Sequence, residues 1–100
     1  MLVIVWEYEA KPDRIDDFEG FYRPDGPWGQ LFRTAPGFVS VTLMKDLNTP
    51  GRYMVADRWT SDLMYEEFKQ SHAHEYEELA TRGARLYAKE TEVGRFDFLE

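Results

Sequence analysis

Arg52-Tyr53-Met54-Val55-Ala56-Asp57-Arg58-Trp59-Thr60-Ser61-Asp62 is the stretch on which the fold turns. Tyr53, Val55, Asp57 and Trp59 alternate with Arg52, Met54, Ala56 and Arg58, the period-2 pattern of a strand. Thr60 or Ser61 then caps a helix, with Asp62 in its first turn. A strand therefore runs straight into a helix N-terminus and delivers Trp59 to the junction. The helix is expected over 62–86, with an apolar stripe through Met64, Tyr65, Phe68, His72, Tyr76, Leu79, Gly83 and Leu86. A break near Ser71 or Gly83 is expected, because serine and glycine are weak helix formers.

Upstream, Phe38 to Leu47 alternates as well, with Val39, Val41 and Leu43 opposite Ser40, Thr42 and Met44. Asn48-Thr49-Pro50-Gly51 has the composition of a hairpin turn, so these two strands pair. Residues 2–10 form another strand, with Leu2, Ile4, Trp6 and Tyr8 on one face and Val3 and Val5 on the other. Lys11-Pro12-Asp13 ends it and starts a short helix over 12–22, with Ile15, Phe18, Phe21 and Tyr22 at helical spacing. The Pro24-Asp25-Gly26-Pro27 loop follows, then a second short helix through Trp28, Leu31 and Phe32 that ends near Thr34. Ala88 to Leu99 is the last strand, and Gly94 marks a bulge within it.

Strand, helix, strand, strand, helix, strand is the split β-α-β order of an α+β, ferredoxin-like fold with a four-stranded antiparallel sheet. Residues 1–100 read as one domain. Helices are available for one sheet face only, yet the strands are apolar on both, so the uncovered face is expected to pair two copies into a homodimer.

Sixteen aromatic residues in a chain of 100 argue for a packed core. A formal net charge of −7 repels phosphate backbones and anionic lipid, so neither nucleic acid nor membrane is an expected partner. Cysteine is absent, which removes disulfides and thiolate metal sites. The apolar N-terminal run is short, without a basic flank, and interrupted by Glu7 and Glu9, so a cytoplasmic location is expected.

Strand one running into Lys11-Pro12, Pro24-Asp25-Gly26-Pro27-Trp28, Ala35-Pro36-Gly37-Phe38, Arg52-Tyr53 and Asp57-Arg58-Trp59-Thr60-Ser61 together resemble the antibiotic biosynthesis monooxygenase-like domains. The resemblance implies a dimeric α+β barrel. It also implies a cofactor-independent monooxygenase, with no cofactor and no metal, that oxidises a phenol or quinol. Trp59 matches a tryptophan that recurs at the end of the third strand in active members. In the haem-degrading branch an iron-binding histidine falls near Phe68 and an asparagine lies in the first strand. This chain has neither, which argues against haem degradation.

As catalytic residues we single out Trp59, to stack on a flat substrate, and His72, to assist proton transfer with its near-neutral imidazole. Ordinary core packing is the plainer reading of both. Tyr8, Tyr22, Trp28, Asp57 and Phe68 are the expected substrate-binding residues. Tyr8, Tyr22, Trp28 and Phe32 either line a pocket mouth or staple the long loop. An inward Asp57 needs a partner, Tyr53 or a helix group being the candidates, and would orient a ligand. His72 and Glu75 offer only two metal ligands, too few for a site. A non-catalytic dimer that binds a small hydrophobic aromatic ligand is the alternative. A cavity touching both Trp59 and His72 would favour the enzyme; solid core there would favour the alternative.

Overall fold

The computed structural model describes residues 1–99. Four strands, β1 (Leu2–Ala10), β2 (Phe38–Lys45), β3 (Arg52–Trp59) and β4 (Tyr87–Asp97), form one antiparallel sheet in the order β2-β3-β1-β4. Four helices, α1 (Ile15–Tyr22), α2 (Pro27–Phe32), α3 (Asp62–Ser71) and α4 (Ala73–Gly83), fill the two crossovers. A 3-10 turn at Pro12–Arg14 leads into α1. This is the expected ferredoxin-like topology.

The strand-to-helix junction forms as the sequence indicates: Ser61 Oγ accepts the Met64 backbone N–H at 3.2 Å and caps α3. The break in the long helix falls at His72, whose backbone (φ −121°, ψ 33°) leaves the helical region between α3 and α4. Backbone bonds still run across it, from His72 N–H to Phe68 O and from Tyr76 N–H to His72 O, each 2.9 Å. Helix α4 then ends at Gly83, against Tyr22. In β4 the register jumps from Val5↔Gly94 to Trp6↔Glu92, so the bulged residue is Val93, next to the expected Gly94.

One expectation about β2 is corrected. A register shift between Phe38 and Ser40 opposite β3 makes Val39 the extra residue. Phe38 therefore joins Val41 and Leu43 on the inner face, while Val39 is exposed rather than grouped with them.

Helix-facing side chains form two buried clusters. Tyr8, Phe18, Phe21, Tyr22, Tyr53, Val55 and Leu79 build one under α1 and α4. Ile4, Phe32, Trp59, Tyr65 and Phe68 build the other under α2 and α3. Trp6, Trp28 and Leu31 pack against both, at the seam between them. On the opposite sheet face Val3, Val5, Met54 and Ala56 are half-buried, and Met44 and Phe96, aligned with Met54 and Val3, are 45% and 50% exposed.

The loop before α2 is held by close backbone approach. A Cβ at Gly29 would collide with the Pro24 carbonyl, a backbone group that cannot swing aside. Gly20, in α1, has open space at the same position. We expect Gly29→Ala to cost ~1–3 kcal/mol or more, and Gly20→Ala to stabilise by ~0.5–1 kcal/mol. Urea denaturation of both variants beside the wild type measures this, and a neutral Gly29→Ala would show that the loop is not so constrained.

Candidate functional site

Asp57 lies on the inner face of β3, directly between Ile4 of β1 and Val41 of β2. Strand alternation puts a carboxylate there among apolar neighbours. At 5% exposure it is the one buried charged residue among those described. A buried carboxylate needs compensation, and here a single group supplies it. The indole of Trp6, diagonal to Asp57 across the β1–β3 ladder, donates from Nε1 to Asp57 Oδ2 at 3.2 Å. Such diagonal pairs lie within reach of aromatic side chains. This partner differs from the expected Tyr53, whose hydroxyl donates to Glu19 on α1 instead. The second oxygen, Asp57 Oδ1, is buried without a partner.

Around Asp57, at the seam between the two clusters, the side chains leave a cavity of about 70 Å³ that opens to solvent. Trp6 and Tyr8 come from β1, Val55 and Asp57 from β3, and Val41 from β2. Tyr22, Trp28, Phe32 and Tyr76 close it from the helices, and Glu90 of β4 stands at one side. Trp28 packs edge-on to Tyr76 at 5.0 Å between centroids, and its buried Nε1 lies near the Tyr22 hydroxyl without a well-formed hydrogen bond. The Tyr8 hydroxyl donates to Glu90 Oε2 at 2.7 Å. The wall is therefore largely aromatic, with the polar tips of its tyrosines and the Asp57 and Glu90 carboxylates among the rings. No lysine, arginine or histidine lines it among the described residues.

The expected site residues divide into two groups. Tyr8, Tyr22, Trp28 and Asp57 line the cavity together, as does Phe32. Trp59 and His72 do not, and neither does Phe68. Trp59 is fully buried, its ring enclosed by Phe32, Phe38, Tyr65 and Phe68 at centroid distances of 5.1–5.4 Å. His72 stacks on the Phe68 ring at 5.0 Å, and its Nδ1 has no partner. Around Trp59 the molecule is solid core. Trp6, Val41, Val55, Tyr76 and Glu90 were not picked out as site residues. Trp6 and Tyr76 share the face and stripe of residues that were, but the contribution of Glu90 depends on its pairing opposite Tyr8 across β1–β4. Among the described residues no cluster of three or more histidine, aspartate or glutamate side chains is placed to hold a metal. Among the described residues no helix is long and apolar enough to cross a membrane.

Burial raises the Asp57 pKa from the ordinary 3.8 to about 7, and the Trp6 hydrogen bond offsets only part of that effect. Burial, with Tyr22 and Glu90 nearby, holds the Tyr8 phenol far above its usual range; burial and Glu90 do the same for Tyr22. Burial also raises Tyr76. All three tyrosines are thus neutral at physiological pH. Because the folded state holds the Asp57 proton more tightly than the unfolded chain, this group's stabilisation is full below pH 4. It is lost as pH rises to about 7. Asp57→Asn keeps an acceptor for Trp6 and removes the titration. Its stability relative to wild type should climb by about 1.4 kcal/mol per pH unit between pH 4 and 7. Denaturant unfolding across that range measures the difference; a constant difference would mean that Asp57 does not titrate there.

Comparison with known proteins agrees with this architecture. A cofactor-independent oxygenase from Streptomyces nogalater, SnoaB, superposes with a TM-score of 0.78 at 18% identity, over 99% of this chain and 93% of that one. A putative antibiotic biosynthesis monooxygenase from Nitrosomonas europaea gives a TM-score of 0.78 at 18% identity over 100% of both chains. A conserved protein from Methanosarcina mazei Go1 gives 0.72 at 15% identity, covering 95% and 89%. At such identities the likeness establishes the fold. None of the curated proteins matches the chain in sequence. The profile of the antibiotic biosynthesis monooxygenases does match, over residues 1–78, and with the split β-α-β topology and the order of its turns this chain belongs to that family.

Proposed function

We propose that the protein is a cytoplasmic, cofactor-independent monooxygenase that oxidises a small aromatic phenol or quinol in the cavity at Asp57. The observation that carries this reading is an aromatic-walled cavity, open to solvent, with one buried carboxylate and no cation on its wall. Membership of the family and the fold shared with a cofactor-independent oxygenase support it. In the net reaction a phenol and O₂ give a quinone and water: one oxygen atom stays on the ring and the other leaves with two substrate hydrogens. The protein's part is to orient the ring between Trp6, Trp28 and Tyr76, and to keep water from the reactive carbanion-like ring. A cavity of about 70 Å³ favours a single ring over a polycycle. Trp59 and His72, which stand outside the cavity, are assigned to packing in this reading.

The outer sheet face supports the homodimer. Val3, Val5, Ala56, Met54, Met44 and Phe96 form an apolar surface with no helix over it, and burial against a second copy removes it from water. Arg58 lies on the same face with its guanidinium over the Phe98 ring at 4.7 Å and an unpartnered Nε. Sedimentation should give twice the chain mass, and Val5→Glu with Ala56→Glu should give the single-chain mass. A wild type that sediments as a monomer removes the dimer.

A non-catalytic domain that binds a small aromatic ligand is the second reading, favoured by the solid core around Trp59. O₂ uptake by metal-stripped protein on a panel of phenols and quinols separates the two. Uptake should require the wild-type protein, survive Trp59→Phe within about threefold, and fall about tenfold or more in kcat/KM when Val41→Phe narrows the cavity, about 1.4 kcal/mol of transition-state stabilisation. Binding without uptake across the panel would transfer the assignment to the ligand-binding domain.

A further inference from the structure

We propose that the Asp57 carboxylate takes the proton of an aromatic hydroxyl bound in this cavity. The assignment follows from the polar atoms on the wall. Tyr8, Tyr22 and Tyr76 are neutral phenols there, and the Tyr8 hydroxyl is already committed to Glu90 at 2.7 Å. Glu90 is exposed, and its Oε2 is taken by that same bond. His72, which the sequence suggested for proton transfer, stacks on Phe68 away from the cavity. Asp57 remains. Its Oδ2 is held by Trp6 at 3.2 Å, which fixes the carboxylate plane, while Oδ1 is buried and unused.

Buried polar atoms without partners are uncommon in folded proteins and call for an explanation. Five occur among the described residues, at Trp28, Asp57, Arg58, Trp59 and His72, and Asp57 Oδ1 is the one oxygen among them, on a side chain that lines this cavity. A ligand bearing a hydroxyl offers that carboxylate a donor; a hydrocarbon does not. The groups around Asp57 explain why a proton can move there. Trp6 is neutral, Ile4 and Val41 flank it across the sheet, and Tyr8, Tyr22, Tyr65, Tyr76 and Glu90 are the titratable groups nearby, none of them a cation. Nothing locks the carboxylate in its charged form, so it can both accept and return a proton near neutral pH.

The oxidation itself rests on the oxygenase reading above. Asp57 takes the O–H proton, and the electron pair left on the phenolate forms a bond from a ring carbon to O₂, reducing it to a peroxide. The Asp57 proton passes to the outer peroxide oxygen. Loss of the remaining C–H proton from that ring carbon then breaks the O–O bond; hydroxide leaves and joins that proton as water, and a second ring carbonyl forms.

Calorimetric titration of the full-length protein with phenol and with anisole, its methyl ether, tests the assignment without turnover. In the wild type the ratio of phenol to anisole affinity should rise about tenfold from pH 5.5 to 8.5, the strength of a hydrogen bond to a charged acceptor. In Asp57→Asn the ratio should be flat. A wild-type ratio that does not change with pH overturns the proposal with no variant needed, and a step retained in a folded Asp57→Asn does the same. In O₂ uptake, Asp57→Asn should lower kcat by about 100-fold or more, with KM less affected. A pH step without any uptake keeps the Asp57 assignment and removes the oxygenase. Uptake unaffected in Asp57→Asn keeps the oxygenase and removes the Asp57 assignment.

Discussion

Register between β1 and β3 sets Ile4 opposite Asp57 and Trp6 opposite Val55, so the Trp6 indole reaches diagonally to the carboxylate. That hydrogen bond offsets part of the cost of burying an aspartate in the middle of the sheet. Slipping β3 by one residue against β1 would turn Asp57 to the outer face, away from Trp6, and bring Arg58 into the core. The cavity, its polarity and the packing of the helices over it all depend on this alignment.

The helical layer answers the same constraint. Two aromatic clusters fill the interior under the helices, with Trp6 and Trp28 between them and Asp57 at the seam. Rings are suited to that boundary. They bury large areas with few torsions, and tyrosine and tryptophan carry a polar tip that can face a cavity while the ring packs in the core. Tyr8 does this by packing against Phe18 and Tyr22 while its hydroxyl reaches Glu90. The break at His72 has a similar consequence: it separates α3, which packs on Trp59 through Tyr65 and Phe68, from α4, which brings Tyr76 to the cavity and Leu79 to the other cluster.

Trp59 shows how a family resemblance and a packing rule can point to different residues. Its place at the end of the third strand matches a recurring family position, and the same strand-end geometry surrounds it with four rings. Two residues earlier on the same face, Asp57 stands between Ile4 and Val41, and space remains beside it. The cavity therefore lies beside the carboxylate and not beside the electron-rich ring of Trp59.

Strand and helix positions were determined by the sequence itself, because hydrophobic period, the Ser61 cap, the prolines and the Asn48–Gly51 turn act locally. The inward direction of Tyr8, Trp6 and Asp57 was legible for the same reason, since strand alternation needs no partner. Only the tertiary structure decided which inward residues meet. The Val39 and Val93 bulges, the diagonal bond from Trp6 to Asp57, the pairing of Tyr8 with Glu90, and the emptiness beside Asp57 rather than Trp59 come from register and side-chain volumes summed over distant elements. A cavity is what packing leaves unfilled, so no single stretch of chain encodes it.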